Sequence, residues 1–197
     1  EEAAELFRRL DQMNNVAQCH WNVGKTRDAL GDHLGAAESF ESASKDYRDA
    51  AEKTRGLKEF YSDHAVYMQA WSEIEKARYH HERQEYDLAK EHFETAANIH
   101  KSLKQWSYLA PNYFAWTQLE LAEALSRKEQ TEEAVKAFES AVNLFIETQR
   151  SLLAQLDKIE NPDEKQMATN MVKATDTRRE YCMIRVSVEE ARVLDKK

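Results

Sequence analysis

Apolar residues recur at spacings of three and four along most of the chain, the period of an amphipathic helix. The clearest stretch is Ala36, Phe40 and Ala43, which share one helical face. The same spacing returns as Ala89, Phe93 and Ala96 and as Ala134, Phe138 and Ala141, and a weaker version opens the chain as Ala3, Phe7 and Leu10. Two small residues let a neighbouring helix come close, and the Phe between them fills the gap. A polar break precedes each full trio: LGDH at 30–33, RQEY at 83–86 and RKEQT at 127–131. Before each break lies another helical stretch. The unit is helix, short turn, helix, and only stacked pairs can bury both apolar stripes. No run alternates long enough to read as a strand.

The pattern predicts helices at 2–12, 15–30, 33–54, 57–83, 86–106, 110–128, 131–158 and 162–195. Gly24 is expected to permit close packing within the first pair. Gly31 is expected to end a helix in a left-handed cap, and Gly35 sits in the first turn of the next. Pro111 suits the start of its helix. Asn161, Pro162 and Glu164 form the best-signalled start. The last helix carries Met167, Met171, Ala174, Tyr181, Ile184, Val188, Ala191 and Leu194 at spacings of three, four or seven, a stripe expected to pack on the third pair.

Residues 15–43 resemble a tetratricopeptide (TPR) repeat. The matching residues are Asn22-Val23-Gly24, Leu30-Gly31-Asp32, and the trio Ala36, Phe40 and Ala43. The first Ala of each trio stands at 3, 36, 89 and 134, steps of 33, 53 and 45 residues. The first step is close to that family's period of roughly 34 residues. The later ones are elongated. Ala77 and Ala122 take the place of Gly24, each 12 residues before the Ala of its trio, and Tyr86 and Thr131 take the place of His33.

The resemblance implies an all-α fold in which antiparallel helical hairpins stack as a right-handed TPR-like α-solenoid. The expected organisation is one array over 1–197. It comprises a partial repeat at 1–13, repeats at 15–54, 57–106 and 110–158, and at 162–195 the first helix of a further repeat or a capping helix. Glycine numbers only four and proline two among 197 residues, which agrees with long helices and short turns. The missing initial Met and the helix-like ends suggest a piece of a longer array, with apolar surface left at uncapped ends.

Charge and chemistry narrow the function. The formal net charge is −8, and the basic pairs Arg8-Arg9, Arg127-Lys128 and Arg178-Arg179 are scattered among carboxylates, so no nucleic-acid partner is expected. No apolar run approaches the roughly 20 residues of a membrane span. Two cysteines, Cys19 and Cys182, are too few for a disulfide scaffold and fit a reduced, cytoplasmic setting.

None of the seven histidines has Asp or Glu three residues before it, and His80 and His81 diverge on a helix. Gly24-Lys25-Thr26 lacks the upstream glycine and strand of a phosphate loop. Cys19 beside His20 is no nucleophile–base pair on a helix. We therefore expect no enzyme, no metal and no cofactor.

The tryptophans offer a binding surface instead. Trp21, Trp71 and Trp116 lie 15, 18 and 18 residues before the Ala of their trios, on similar faces of first helices. In TPR-like arrays that face looks into a concave groove. The expected groove comprises Trp21, Asn22, Lys25, Trp71, Arg78, His81, Trp116, Leu119 and Glu123. Tryptophan and arginine dominate interface energies, so the groove would hold a peptide or helix of a partner, or another segment of the full-length chain. Glu75, Glu120 and Glu123 would repel a C-terminal carboxylate. The expected function is a protein–protein interaction scaffold. The alternative is an architectural or self-associating regulatory segment of a larger protein, including a homodimer through uncapped ends.

Overall fold

A computed structural model describes residues 2–195. Helix accounts for 89% of it, with no strand among the described residues, which makes the chain all-α. The helices are α1 (Glu2–Arg9), α2 (Met13–Ala29), α3 (His33–Lys53), α4 (Lys58–Glu82), α5 (Tyr86–Ser102), α6 (Ala110–Arg127), α7 (Thr131–Leu156) and α8 (Pro162–Asp195). The chain forms two compact units, Glu1–Arg83 and Gln84–Lys197. The division falls between the two helices expected to form the second repeat.

In the first unit α1 packs on α2, α2 on α3 and α3 on α4. Ala36, Phe40 and Ala43 are all buried on α3, as the trio pattern requires. Gly24 lies against Phe40 so closely that an added Cβ would stand 2.7 Å from the ring. Asp32 caps α3 by accepting from the Gly35 amide at 3.0 Å. A smaller cluster of Ala4, Met13, Val16 and Ala50 joins α1 to the rest, with Phe7, Cys19 and Tyr61 against it.

In the second unit α5 packs on α6, α6 on α7 and α7 on α8. Its core holds Leu119, Ala122, Ala134, Phe138, Ala141, Phe145 and Cys182. Here α5 stops at Ser102, four residues before the expected end. Leu103 turns extended, and Leu103, Trp106 and Leu109 drop into the interior through a short 3₁₀ turn at Ser107–Leu109. Burying three large apolar side chains outweighs one more helical turn.

A left-handed residue stands five positions before the Ala of each trio: Gly31 (φ 78°), Gln84 (φ 62°) and Glu129 (φ 57°). After Gly31 the chain closes a double-bonded cap, the Gly31 amide donating to Asp28 and the Asp32 amide to Arg27. The start of α8 is capped as expected, Asn161 Oδ1 accepting from the amides of Asp163 (2.9 Å) and Glu164 (3.2 Å).

The stripe expected to bury α8 is corrected. The buried positions are Ala168, Thr175, Cys182 and Glu189, every seventh residue. Met167, Met171 and Ala174 are half-buried, while Tyr181, Ile184, Val188, Ala191 and Leu194 are exposed. Small side chains at 168, 175 and 182 let α7 approach closely, so that face wins over the bulkier one beside it.

Two predictions follow from this packing. Non-glycine residues are strained at positive φ, so Glu129→Gly should raise stability by about 0.5–1 kcal/mol in urea unfolding. His100 is wholly buried and stacked on Tyr113 at 5.2 Å, and burial pushes its pKa down to about 3. Its stabilising contribution is present above the unfolded-state pKa near 6.5 and is lost as pH falls toward 3. The chain should lose roughly 2–3 kcal/mol between pH 7 and 4.5 from this group. His100→Phe, which keeps a ring stack, should flatten that slope in unfolding curves taken across the range.

Candidate interaction surface

Trp71 of α4 and Trp116 of α6 occupy equivalent positions and do equivalent work. Trp71 lies against Phe40 of α3 with centroids 6.0 Å apart, and Trp116 stacks on Phe93 of α5 at 5.1 Å. On α8 the matching position is Arg185, whose guanidinium sits over Phe138 of α7 at 4.8 Å. Each flat group covers the phenylalanine of the preceding helix. Both tryptophans are half-buried in this role.

Trp21 is different. Fifteen residues before its trio, it corresponds to Ile74 and Leu119 rather than to the other two tryptophans. Its ring meets Tyr67 edge-on at 6.3 Å, and Tyr67 meets Trp71 the same way at 6.2 Å. Lys25 lays its ammonium 5.4 Å from the Trp21 ring centre. Asn22 and Lys25 are exposed beside it on α2. Trp21, Asn22, Lys25 and Trp71 therefore form one aromatic and polar edge across α2 and α4. Arg78 and His81 are half-buried further along α4.

Leu119 and Glu123 are not open groove residues. Leu119 is 3% exposed and belongs to the core. Glu123 is buried under α8, accepting from Arg185 at 2.6 and 2.7 Å and from the Tyr181 hydroxyl at 2.5 Å. Trp116 is overlaid by Arg178 of the same helix at 4.5 Å. The long α8 lays three arginine-bearing turns on the face that pattern alone left open. Burial and the Glu123 carboxylate together push the Tyr181 pKa up to about 12. Burial does the same to the Cys182 thiol, which removes it from thiolate chemistry.

Ion pairs meet two further buried carboxylates, Glu189 and Glu75. Glu189, wholly buried, accepts from Ser126 (2.7 Å), Arg192 (2.9 Å) and Arg185 (3.2 Å). Burial alone would raise its pKa, but these donors hold it below the usual carboxylate range. In the first unit Glu75, also wholly buried, accepts from Arg78 at 2.9 Å and lies 2.7 Å from His33 Nδ1. Burial raises its pKa against the pull of Arg78 and His33. His33 Nε2 is 3.1 Å from Glu82, and Arg78 also binds Asp28.

Donor atoms of Asp28, His33 and Glu75 lie within 4.8 Å of one another, a spacing open to a metal ion. The Arg78 guanidinium already bridges the two carboxylates and supplies the cation there. The expected repulsion of an acidic terminus by Glu75, Glu120 and Glu123 is corrected, because all three are buried and Glu75 and Glu123 are each met by an arginine. Nor does Cys19 meet His20 in a catalytic arrangement: Cys19 packs with the Ala4–Val16 cluster, while His20 Nδ1 lies 2.6 Å from Asp46.

Tyr67 and Arg185 were not singled out by sequence, and Tyr181 was read only as part of a packing stripe. A usable signal was present: Glu75-Lys76-Ala77-Arg78 and Glu189-Glu190-Ala191-Arg192 share Glu-x-Ala-Arg, with the Glu buried and the Arg bonded to it in both. No protein-family model, curated protein or solved structure matches the chain. Among the described residues, no helix is long and apolar enough to cross a membrane.

Removing Arg185 leaves Glu123 and Glu189 short of charge in a dry site. Arg185→Met should therefore cost roughly 3 kcal/mol by chemical denaturation. Arg185→Met combined with Glu123→Gln should recover part of that loss, since the second change removes the stranded charge.

Proposed function

We propose that this chain is a non-enzymatic protein–protein interaction scaffold, a TPR-like stack of helical hairpins that binds a peptide or helix of a partner. The observation that carries the reading is the exact return of one packing rule. The small residue, the phenylalanine, the flat cover and the left-handed turn recur at equivalent positions in successive helices, as in arrays built to present a surface. The contact surface is the edge formed by Trp21, Asn22, Lys25 and Trp71. It pairs half-buried aromatic area with exposed polar groups, the composition of an interface centre and rim. Arg78 and His81 extend it along α4. A cytoplasmic setting belongs to this reading, supported by two cysteines that form no disulfide.

Asn22 and Lys25 are exposed, so changing them tests the surface without disturbing the core. Asn22→Asp with Lys25→Glu should weaken capture of a partner from source-cell lysate at least tenfold, about 1.4 kcal/mol, with the circular dichroism unchanged. Equal capture by wild type and variant would move the contact off this edge.

The exposed stripe of α8 favours a second reading, an architectural segment that self-associates. Its measurement is the mass of the purified chain in solution as concentration rises.

A further inference from the structure

The apolar face of α8 has counterparts within the same chain, and those counterparts are covered. Nineteen, fifteen and twelve residues before each trio stand Ala17, Trp21 and Gly24 on α2, Ala70, Ile74 and Ala77 on α4, and Ala115, Leu119 and Ala122 on α6. All are buried except the half-buried Trp21. The shared Glu-x-Ala-Arg sets the register of α8, and Arg185 over Phe138 repeats the place of Trp71 and Trp116. In that register the matching set is Ile184, Val188 and Ala191. Ile184 is 64% exposed, Val188 40%, and Ala191 is exposed as well.

What covers such a face is visible in two pairs. On α2 the Phe40 ring of α3 occupies the space over Gly24. On α6, Leu119 and Ala122 share a core with Ala134, Phe138 and Ala141 of α7. The occupant that fits is a helix bearing a small residue, an aromatic four positions on, and a small or apolar residue three further. Besides α3, α5 and α7, the spacing occurs on α2 at Ala17, Trp21 and Gly24 and on α6 at Ala110, Phe114 and Thr117, whose small residues are all buried, and once more at α1. On α1 and the turn that follows it, Ala3, Phe7 and Leu10 keep the spacing. Its inner side, with Ala4 and the half-buried Phe7, rests on Met13 and Val16, whereas Ala3 is exposed and Leu6 and Leu10 are each 57% exposed.

We propose that the Ile184–Val188–Ala191 face of α8 takes α1 of a second copy, rebuilding between two molecules the helix pair seen within each. This rests on the self-associating reading above and names its surfaces. The two faces differ, so the contact is heterologous and each added copy leaves one of each face free. A helix of eight residues is about 12 Å long and covers less than a standard interface. Association is therefore weak, in the high-micromolar range.

Sedimentation velocity of the whole chain from 10 µM to 1 mM tests this. The weight-average mass should climb past that of a dimer at the top of the range. Ile184→Asp with Val188→Asp should abolish the rise, and so should Leu6→Asp with Leu10→Asp. All four side chains are at least 40% exposed, so both variants should keep wild-type helicity and melting. Mixed together, the two variants should form a one-to-one dimer and nothing larger, because each retains only the face that the other lacks. A dimer persisting in the Leu6/Leu10 variant would overturn the α1 pairing while leaving self-association standing. A chain that stays monomeric at 1 mM would overturn both, and neither result touches the α2 edge.

Discussion

Everything in this molecule hangs on how a buried phenylalanine is housed. Phe40 presses on a residue with no side chain, Gly24, and lies under Trp71. Phe138 shares a core with Ala122 and Leu119 and lies under Arg185. Phe93 lies under Trp116. A ring of this size fits between helices only where a neighbour gives up volume, and interiors are packed too densely to leave the space otherwise empty. The small residue sets the spacing within a pair, and the flat group above the ring joins the next helix. Helices of unequal length can then be added without changing the rule, which is why steps of 33, 53 and 45 residues coexist in one chain.

Charge is arranged around the same joints. Glu75 and Glu189 are both fully buried, and each is met by an arginine three residues later on its own helix. Such pairs add little net stability against an apolar replacement, but breaking one strands a charge. Each Glu is also tied to a neighbouring helix, Glu75 to His33 of α3 and Glu189 to Ser126 of α6. On α8 this matters most. Arg185 reaches Glu123, Ser126 and Glu189 together and turns the helix so that the small residues face α7. The larger apolar residues are left outside. The exposed stripe is thus a consequence of a satisfied polar network.

The two candidate surfaces differ in kind. The α2–α4 edge is a polar and aromatic patch on helices already paired, suited to a ligand that adds to a finished fold. The α8 face is an exposed apolar stripe on a single helix, suited under the proposal above to a second helix laid along it.

Much of this could be read in the residues alone. Helical period, the Ala–Phe–Ala trios, the break before each and the Asn161 cap are local properties, and local physics decides them. Gly31 announced its left-handed turn because no other residue adopts that backbone so cheaply, whereas Gln84 and Glu129 do the same without announcing it. The helix end at Ser102 was hidden because burial of Leu103 and Trp106 is a tertiary gain that overrides propensity.

The tryptophans show the limit most clearly. Spacing placed Trp21, Trp71 and Trp116 on similar faces, but only packing separates Trp21, which edges a surface, from the other two, which cover phenylalanines. Leu119 and Glu123 were legible as positions on a face, while α7 closes over Leu119 and α8 over Glu123. A sequence carries the period of a helix directly. Which of two apolar stripes is buried depends on what approaches it, and that was decided by the close fit of α7 to the small residues of α8 and by the arginine that holds them there.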